Sequence, residues 1–588
     1  MQEHPEVTPA AYTSGNFCSS EQAAAMVSAL MEGGQVLPDF LDDAVRRFSD
    51  RAAVEFFDRT WTYGQIDHLV DRFSRGLAGL GVKRAHVSVS ACPILLFGSL
   101  FFAVLKAGGV VVNYNPLYTS RELLAQIRDS GTEVMITLDL QQVYKGLGPI
   151  IADAELKHVI VCSMAESLPT AKGLLFRLFK RADRARIPRD AYHISYDAVL
   201  RKGDQTERRA VEITPQDIAV LQYTGGTTGI PKGAMLSHTA LISNARQMLA
   251  QTGEDVLTPG EEVIVGVLPF FHVFAMTVCM LYAIEIGAVM LLVPRFNRDD
   301  LIALMEKRRP TLLPAVPTIY GAINAVAATR RIDLTSLKIC VSGGAPLPLE
   351  VRTDFEKLTG CKLSEGYGLT ECSPVVSVNP FDGRPARPGS AGLALPGTVL
   401  EIRDSENPAV VLPKGVKGEL WVRGPQVMSG YWNKPDDTAY ALRDGAFRTG
   451  DVGYIDEDGY LFLVDRLKDL IICGGYNVYP RLIEEALYEH EDVAEAIVIG
   501  VRDEYRGEAP KAFVALRPDS TVTVEELHAF LKPRLSKIEL PRAIEIRESL
   551  PKTMIGKLSK KELIEEERNT SHHAAEPKRE KGQRHVDA

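Results

Sequence analysis

Cysteine is sparse and never clustered: eight residues are scattered from Cys18 to Cys473 without one C-x-x-C pair. That spacing excludes a zinc knuckle and a disulfide framework, and it suits a reducing cytoplasm. Positive charge is not in excess either. With a net charge of −9 the chain lacks the basic surplus that phosphate-backbone affinity requires, so nucleic acid is not expected as a partner. A free nucleotide needs only a local site. An uninterrupted apolar run is also missing. The longest, Ala91 to Asn113, is broken by Pro93, Lys106 and the pair Gly108-Gly109. It falls short of the roughly 20 apolar residues a membrane span needs, and reads as a buried helix running into a Val-Val-Val strand. The first residues, M-Q-E-H-P-E, have neither a basic start nor an apolar core, so no secretory leader is expected.

Five hundred and eighty-eight residues, 45% of them hydrophobic, allow several packed units. Short β-rich runs (Val211 to Leu221, Val263 to Leu268, Ala288 to Val293, Leu337 to Val341) alternate with helical segments (Ala240 to Leu249, Asp299 to Glu306), which predicts an α/β fold. From Leu393 to Val422 short strands with Gly and Pro turns predict a small β-rich subdomain. A new unit is expected after Asp465 to Asp469: helix Pro480 to His490, strands Glu495 to Gly500 and Lys511 to Arg517, helix Val524 to Leu535, strand Ala543 to Arg547. The reading divides the chain into an extension (1–36), a large domain (37–467), a small α+β domain (468–565) and a disordered tail (566–588), since apolar residues nearly vanish after Glu566.

Between Gln222 and Gly233 stands Q-Y-T-G-G-T-T-G-I-P-K-G. Glycines let backbone N–H groups close on phosphate oxygens, threonine hydroxyls add donors or a metal ligand, and Lys232 supplies charge where pyrophosphate would sit. It is not the P-loop pattern, because Gly233 follows Lys232 where a Ser or Thr would hold magnesium. Three further runs accompany it: E-G-Y-G-L-T-E-C-S-P from Glu365 to Pro374, with Y-W-N-K-P and R-T-G-D downstream; V-D-R-L-K-D-L-I-I-C-G-G-Y-N-V-Y-P from Val464 to Pro480; and L-P-K-T-M-I-G-K-L-S-K-K-E-L from Leu550 to Leu563.

In this order and spacing the runs resemble the adenylate-forming superfamily of acyl-CoA synthetases, firefly-type luciferases and nonribosomal adenylation domains, over roughly Leu37 to Glu565. The resemblance implies a large domain of several α/β sheets and a small mobile C-terminal domain. It implies ATP-dependent activation of a carboxylate to an acyl-adenylate, then transfer to a thiol, with ATP, Mg²⁺ and coenzyme A. Thr224, Gly225, Gly226, Thr227, Thr228, Gly229 and Lys232 would hold the β- and γ-phosphates, and Thr370 the α-phosphate. Glu371 would ligate Mg²⁺ with Thr224. Tyr367, within Glu365, Gly366 and Gly368, would stack on adenine opposite Gly343, Gly344 and Ala345, and Asp451 with Arg466 would hold the ribose. Lys557 matches the catalytic lysine and Lys468 the hinge, about which the small domain would rotate to bring Gly474, Gly475 and Tyr476 to the CoA tunnel.

The acid is read from L-P-F-F-H-V-F-A-M, Leu268 to Met276. His272 matches the histidine at the carboxylate end of the acyl pocket, and no Asp follows to hold an ammonium, which disfavours an amino acid because an unpaired buried charge is costly. Met276 falls where long-chain members place a gate, with Gly343 and Gly344, and Tyr320 to Ala322, lining the pocket. The reading is a fatty acid–CoA ligase for medium to long chains; a fatty acyl-AMP ligase, or a ligase for an aryl or shorter acid, is the alternative. Residues 168 to 189 interleave Leu174, Leu175, Phe176, Leu178 and Phe179 with Lys172, Arg177, Lys180, Arg181, Arg184 and Arg186. A basic amphipathic helix of this kind suits either an anionic membrane face, through residues 172–187, or packing on its own domain. A cytoplasmic enzyme in peripheral contact with the inner membrane, and a homodimer, complete the expectation.

Overall fold

The computed structural model describes residues 34–574, apart from 83–85, 90–93, 117, 209, 225–230, 254–255, 382–383, 385, 474–475, 504 and 554–556. Its strands are runs of Val, Ile and Leu such as Val110–Asn113 and Val289–Leu292, nearly all buried, the composition that parallel strands covered on both faces require. They assemble into two large sheets. The first has seven strands in the order His193–Ser195, His158–Cys162, Thr132–Leu138, His86–Val89, Val110–Asn113, Ile218–Thr224 and Lys232–Ser237, parallel except for the last pair. The second has nine, with Ala52–Phe56, Val289–Leu292, Val263–Gly266, Leu312–Ala315, Ile339–Ser342 and Leu363–Gly368 parallel at its centre and antiparallel strands at both edges. A continuous apolar core joins both sheets to their helices.

A smaller antiparallel sheet follows, with Val399–Arg403, Gly418–Arg423, Ala446–Ile455 and Leu461–Arg466 as its principal strands. After the short 3-10 turn Leu467–Asp469 the chain enters a fourth sheet, where Gly507–Leu516 pairs with Val493–Asp503 and Ala543–Arg547. Its helices Pro480–Tyr488 and Val524–Leu531 bury Ile483, Leu487, Leu527 and Leu531 in cores of its own. The fold is thus the expected α/β architecture of several sheets with a small C-terminal unit. No helix among the described residues is long and apolar enough to cross a membrane.

Several expected boundaries move. The strand read as Val211 to Leu221 is Ile218–Thr224, because Asp217 Oδ2 accepts the Thr214 N–H and turns the chain at Pro215. The segment 168–189 is not one helix. It is helical over Thr170–Phe179, closes a 3-10 turn at Arg181–Asp183, and leaves as extended chain once Ala185 N–H bonds to Asp139 O. The tail read as unstructured from 566 begins instead inside a helix, Lys561–Ala574, tied down by Glu566 on Arg547 at 2.8 Å and Glu567 on Lys511 at 2.5 Å.

Helix Tyr63–Gly79 and helix Tyr196–Gln205 approach through two glycines. A Cβ at Gly203 would stand 1.9 Å from Arg72 O, and one at Gly76 2.2 Å from Val199 O. Such backbone contacts cannot yield as a side-chain tip can. Gly203→Ala is therefore expected to cost about 1–3 kcal/mol by forcing the helices apart, whereas Gly321→Ala, with open space around it, should be neutral or stabilising by up to about 1 kcal/mol. Thermal midpoints of the two variants check this contrast.

Candidate active site

Parallel strands leave their C-terminal ends on one side of a sheet, and there the second large sheet delivers most of the expected residues. Strand Ile339–Ser342 runs into Gly343, Gly344 and Ala345; strand Leu363–Gly368 carries Glu365, Gly366, Tyr367 and Gly368 and ends beside Thr370 and Glu371. The antiparallel sheet adds Asp451 and Arg466, paired across neighbouring strands. The first sheet contributes a hairpin in which Thr224 faces Lys232. All these residues border one cavity of about 1860 Å³, which also takes His272, Lys468 and Lys557 into its wall. Gly225, Gly226, Thr227, Thr228 and Gly229, and Gly474 and Gly475, lie outside the described residues.

The polar end of the cavity is prearranged. Asp451 accepts a hydrogen bond from the Tyr367 hydroxyl and pairs with Arg466 Nε at 3.0 Å. Asp451 raises the Arg466 pKa, outweighing the opposing effect of burial. Glu371 accepts from the Tyr431 hydroxyl at 2.8 Å, and burial pushes its carboxyl pKa up. Tyr431 stood in the Y-W-N-K-P run without a role, and its position on Glu371 is visible only in three dimensions. Lys232 pairs with Asp437 and lies over the Tyr431 ring at 5.2 Å, a partner no motif signalled. Glu365 accepts from the Leu347 N–H at 3.3 Å, and burial raises its pKa to about 7.

Lys557 reaches this wall from the C-terminal unit. Thr553 holds its backbone through two bonds, Thr553 Oγ1 accepting the Lys557 N–H at 3.2 Å and the Thr553 N–H donating to Lys557 O at 2.7 Å. The side chain crosses the seam between the units onto Gly344, where a Cβ would come within 2.6 Å of Lys557 Cε. Only glycine leaves that path open, and its φ of +84° is glycine's as well. Burial and then the Arg466 charge lower the Lys557 pKa to about 8, with Asp451 opposing. His272 is held neutral, its pKa lowered to about 3 by burial and then by Lys557. Its Nδ1 accepts the Phe274 N–H at 3.2 Å, which leaves the proton on Nε2.

Three expected pocket residues are elsewhere. Met276 is wholly buried outside the cavity, its sulfur 3.6 Å from Asn113 Nδ2. The segment Ala275–Leu281 is a π-helix, and the cavity-facing positions run Phe274, Val278 and Tyr282, so a step of four from His272 lands on the far side. Tyr320 turns its ring onto Phe355 and its hydroxyl to Leu313 O and Val341 O, and Ala322 does not border the cavity; Gly321 does. Tyr476, expected at the CoA tunnel only after rotation of the small domain, is exposed on the C-terminal unit in this arrangement.

Comparison with known families places this geometry. A family model described as AMP-binding enzyme matches residues 41–432, and its C-terminal domain model matches 482–557. The chain belongs to the AMP-binding enzymes. Within that family it is 42% identical over 553 residues to a long-chain-fatty-acid–CoA ligase of Bacillus subtilis, covering 92% of this chain and 96% of that one. It is 37% identical over 542 residues to one of Escherichia coli, covering 91% and 95%. A 4-coumarate–CoA ligase of Narcissus pseudonarcissus is 31% identical over 530 residues, covering 88% and 91%. Among solved AMP-binding enzymes, MatB of Rhodopseudomonas palustris is 28% identical and covers 90% of this chain and 98% of its own. The TM-score is 0.78 to its ATP-bound form and 0.70 to its apo form.

Because the Lys557 amine is desolvated beside Arg466, it should titrate near pH 8 while exposed lysines remain protonated to about pH 10. Labelling by an amine-directed reagent across pH, followed by peptide mass spectrometry, reads the midpoint; a midpoint at the ordinary lysine value contradicts the buried placement.

Proposed function

We propose that this AMP-binding enzyme activates a medium to long-chain fatty acid with ATP and transfers the acyl group to coenzyme A. The observation that carries the reading is the placement of Lys557, a half-buried cation delivered by the C-terminal unit to the point where a polar cavity meets an apolar branch lined by Val273, Phe274, Val278, Leu312 and Val341. The long-chain ligases at 37–42% identity support the choice of acid, and the absence of any Asp among positions 272–282 disfavours an amino acid.

The chemical problem is to bring a carboxylate against a triphosphate. The carboxylate oxygen attacks the α-phosphorus, the bond to pyrophosphate breaks, and negative charge concentrates where the acid and the α-phosphate meet. Lys557 places an ammonium there in a water-poor site, where it is worth far more than in bulk solvent. Thr370 donates to the α-phosphate, Lys232 with the hairpin loop holds the outer phosphates, and Tyr367, Asp451 and Arg466 take the adenosine. Gly344 and Ala345 leave the backbone within reach of the reacting centre. His272 offers its Nε2 proton to the acyl carboxylate.

The residues present fit one magnesium ion. Glu371 is a half-buried carboxylate with no ion pair among the described residues, and it borders the same cavity as Thr224. No group of three or more acidic, histidine or cysteine ligands occurs among the described residues, which matches an ion held by one carboxylate, a hydroxyl and the nucleotide's own phosphates. Bound there, the ion would neutralise phosphate charge. In the second half-reaction the CoA sulfur attacks the acyl carbonyl and AMP leaves. We place the hinge at Lys468, in the turn joining the antiparallel sheet to the C-terminal unit, and the thiol route along Gly474, Gly475 and Tyr476 after rotation.

A coupled assay of AMP release across carboxylates of increasing length, with and without CoA, tests the whole reading. Release that needs CoA for turnover and favours alkyl chains is expected; release on aryl acids alone, or with no CoA dependence, replaces it with one of the alternatives. Lys557→Ala should lower acid-dependent pyrophosphate exchange by about 10²-fold or more, while thioester formation from supplied acyl-adenylate survives. Wild-type exchange should fall as pH rises through about 8, because the amine must be protonated to act. Equal loss of both half-reactions in the variant defeats the assignment.

Peripheral membrane contact belongs to the same proposal. Helix Thr170–Phe179 leaves Leu174, Leu175, Leu178 and Phe179 more than half exposed, beside Arg181 and Arg186. An apolar ridge flanked by cations is what an anionic bilayer surface accepts. Co-sedimentation with phosphatidylglycerol-containing vesicles should exceed that with phosphatidylcholine alone and fall at high salt. Leu178→Ser with Phe179→Ser should abolish the difference; unchanged sedimentation removes the helix from the proposal.

A further inference from the structure

The cavity continues below the glycine cradle along one face of the nine-stranded sheet. Ile264, Leu312 and Ile339 stand at a single level on three neighbouring parallel strands, since Ile264 pairs with Leu312 and Leu312 with Ile339. Pro314 and Val341 pair at the next level, and Gly343 stands at the mouth. Residues 339, 341 and 343 share a face because side chains alternate along a strand. Four residues separate the mouth from the deepest level, about 13 Å at the rise of a strand. The opposite wall is helical: Met248 and Thr252 from helix His238–Thr252, then Phe274, Val278 and Tyr282.

The helical wall carries two hydroxyls, those of Thr252 and Tyr282, and the charge of Glu262, one residue before strand Val263–Gly266, acts on the tyrosine. Thr252 Oγ1 lies 2.9 Å from the Tyr282 hydroxyl and donates to Met248 O at 2.9 Å, so the tyrosine donates to the threonine. Both side chains are buried, and each closes an element: Thr252 is the last residue of its helix, Tyr282 the first after the π-helix. One residue before each of the three strands the chain turns polar. Lys338 Nζ pairs with Glu262 Oε1 at 2.7 Å, and the Val263 N–H donates to Thr311 Oγ1 at 2.9 Å. An alkyl tail gains nothing by entering that layer and would strip its groups of partners. None of the three borders the cavity.

We infer that the hydrogen-bonded pair Thr252 and Tyr282 forms the floor of the acyl passage and sets the longest chain the enzyme accepts. The inference rests on the reading of the cavity as the site of a fatty acid. The methyl end of the preferred acid meets the Tyr282 ring, and the bond to Thr252 fixes that ring in place. A longer acid has to displace the pair or hold its carboxylate short of Lys557 and His272.

The test is the ratio of kcat/KM values across saturated acids of increasing length, measured by AMP release with the full-length protein. Tyr282→Leu shortens the floor residue and should raise the ratio of the acid just beyond the wild-type optimum to the optimal acid by about tenfold or more. Leu312→Phe fills the deepest level and should move the optimum to shorter acids by a similar factor. Thermal midpoint and ATP binding identify the variants that remain folded, and each variant tests the floor separately. A folded variant of either kind that returns the wild-type profile overturns the inference, as does a uniform loss of activity with the profile unmoved. If the wild type releases AMP with no acid of any length, the reading of the cavity fails and takes this inference with it; a length-dependent wild type with unmoved variants fails the floor alone.

Discussion

The structure turns on one desolvated ammonium. Lys557 enters a cavity built by the large domain, and in the role proposed for it two demands meet: the amine has to be charged to act on anionic reactants, and it has to be out of water for its charge to count. Burial alone would favour the neutral amine. Asp451 opposes that shift while also holding the Tyr367 hydroxyl and Arg466. The same burial and the same lysine keep His272 neutral, so two nitrogen groups at the mouth of the acyl branch stand in different protonation states. One is a cation and the other a neutral donor.

Delivery of that amine across a seam explains why the fold is divided. The C-terminal unit has its own sheet and its own cores, as the proposed rotation would require, and one ion pair across the seam, Arg517 with Glu350, is half exposed on both sides. Such a pair contributes at most about 1 kcal/mol. The contact of Lys557 with Gly344 depends instead on shape, since a single methyl group at position 344 would close the path. The rotation proposed about the turn Leu467–Asp469 would need only a few residues to change conformation, as hinges commonly do.

Legibility in the sequence followed the distance over which each feature is encoded. Thr370 and Glu371, or Gly343 and Gly344, sit in short continuous runs whose local geometry is nearly sufficient, and the structure puts them on one cavity. Strand Ala543–Arg547 and helix Arg298–Arg308 were readable because their patterns are local too. Met276 failed for a definite reason: the step of four assumed an α-helix counted from His272, while the backbone there is a π-helix whose cavity face is counted from Phe274. Tyr431 on Glu371 and Asp437 on Lys232 join residues 60 and 205 positions apart, and nothing local announces either contact. The segment 168–189 was readable as basic and amphipathic but not as a helix of ten residues followed by extended chain, whose backbone bond from Ala185 to Asp139 no local pattern announces.

The acyl branch shows what such non-local assembly adds. Its cradle is specified by glycines that a motif can register, but its lower end is built from Ile264, Leu312 and Ile339, ordinary apolar strand residues that share a level only through the register of three strands. Any of the three could be exchanged for valine without altering a motif, while the volume below the cradle would grow by a methylene. One methylene in an apolar pocket is worth about 1–3 kcal/mol in discrimination, comparable to the choice between neighbouring chain lengths. The chemistry is therefore written in residues that tolerate little change, and the selection of acid in residues that tolerate a great deal. Two chains of this architecture can keep every catalytic group and still differ in substrate.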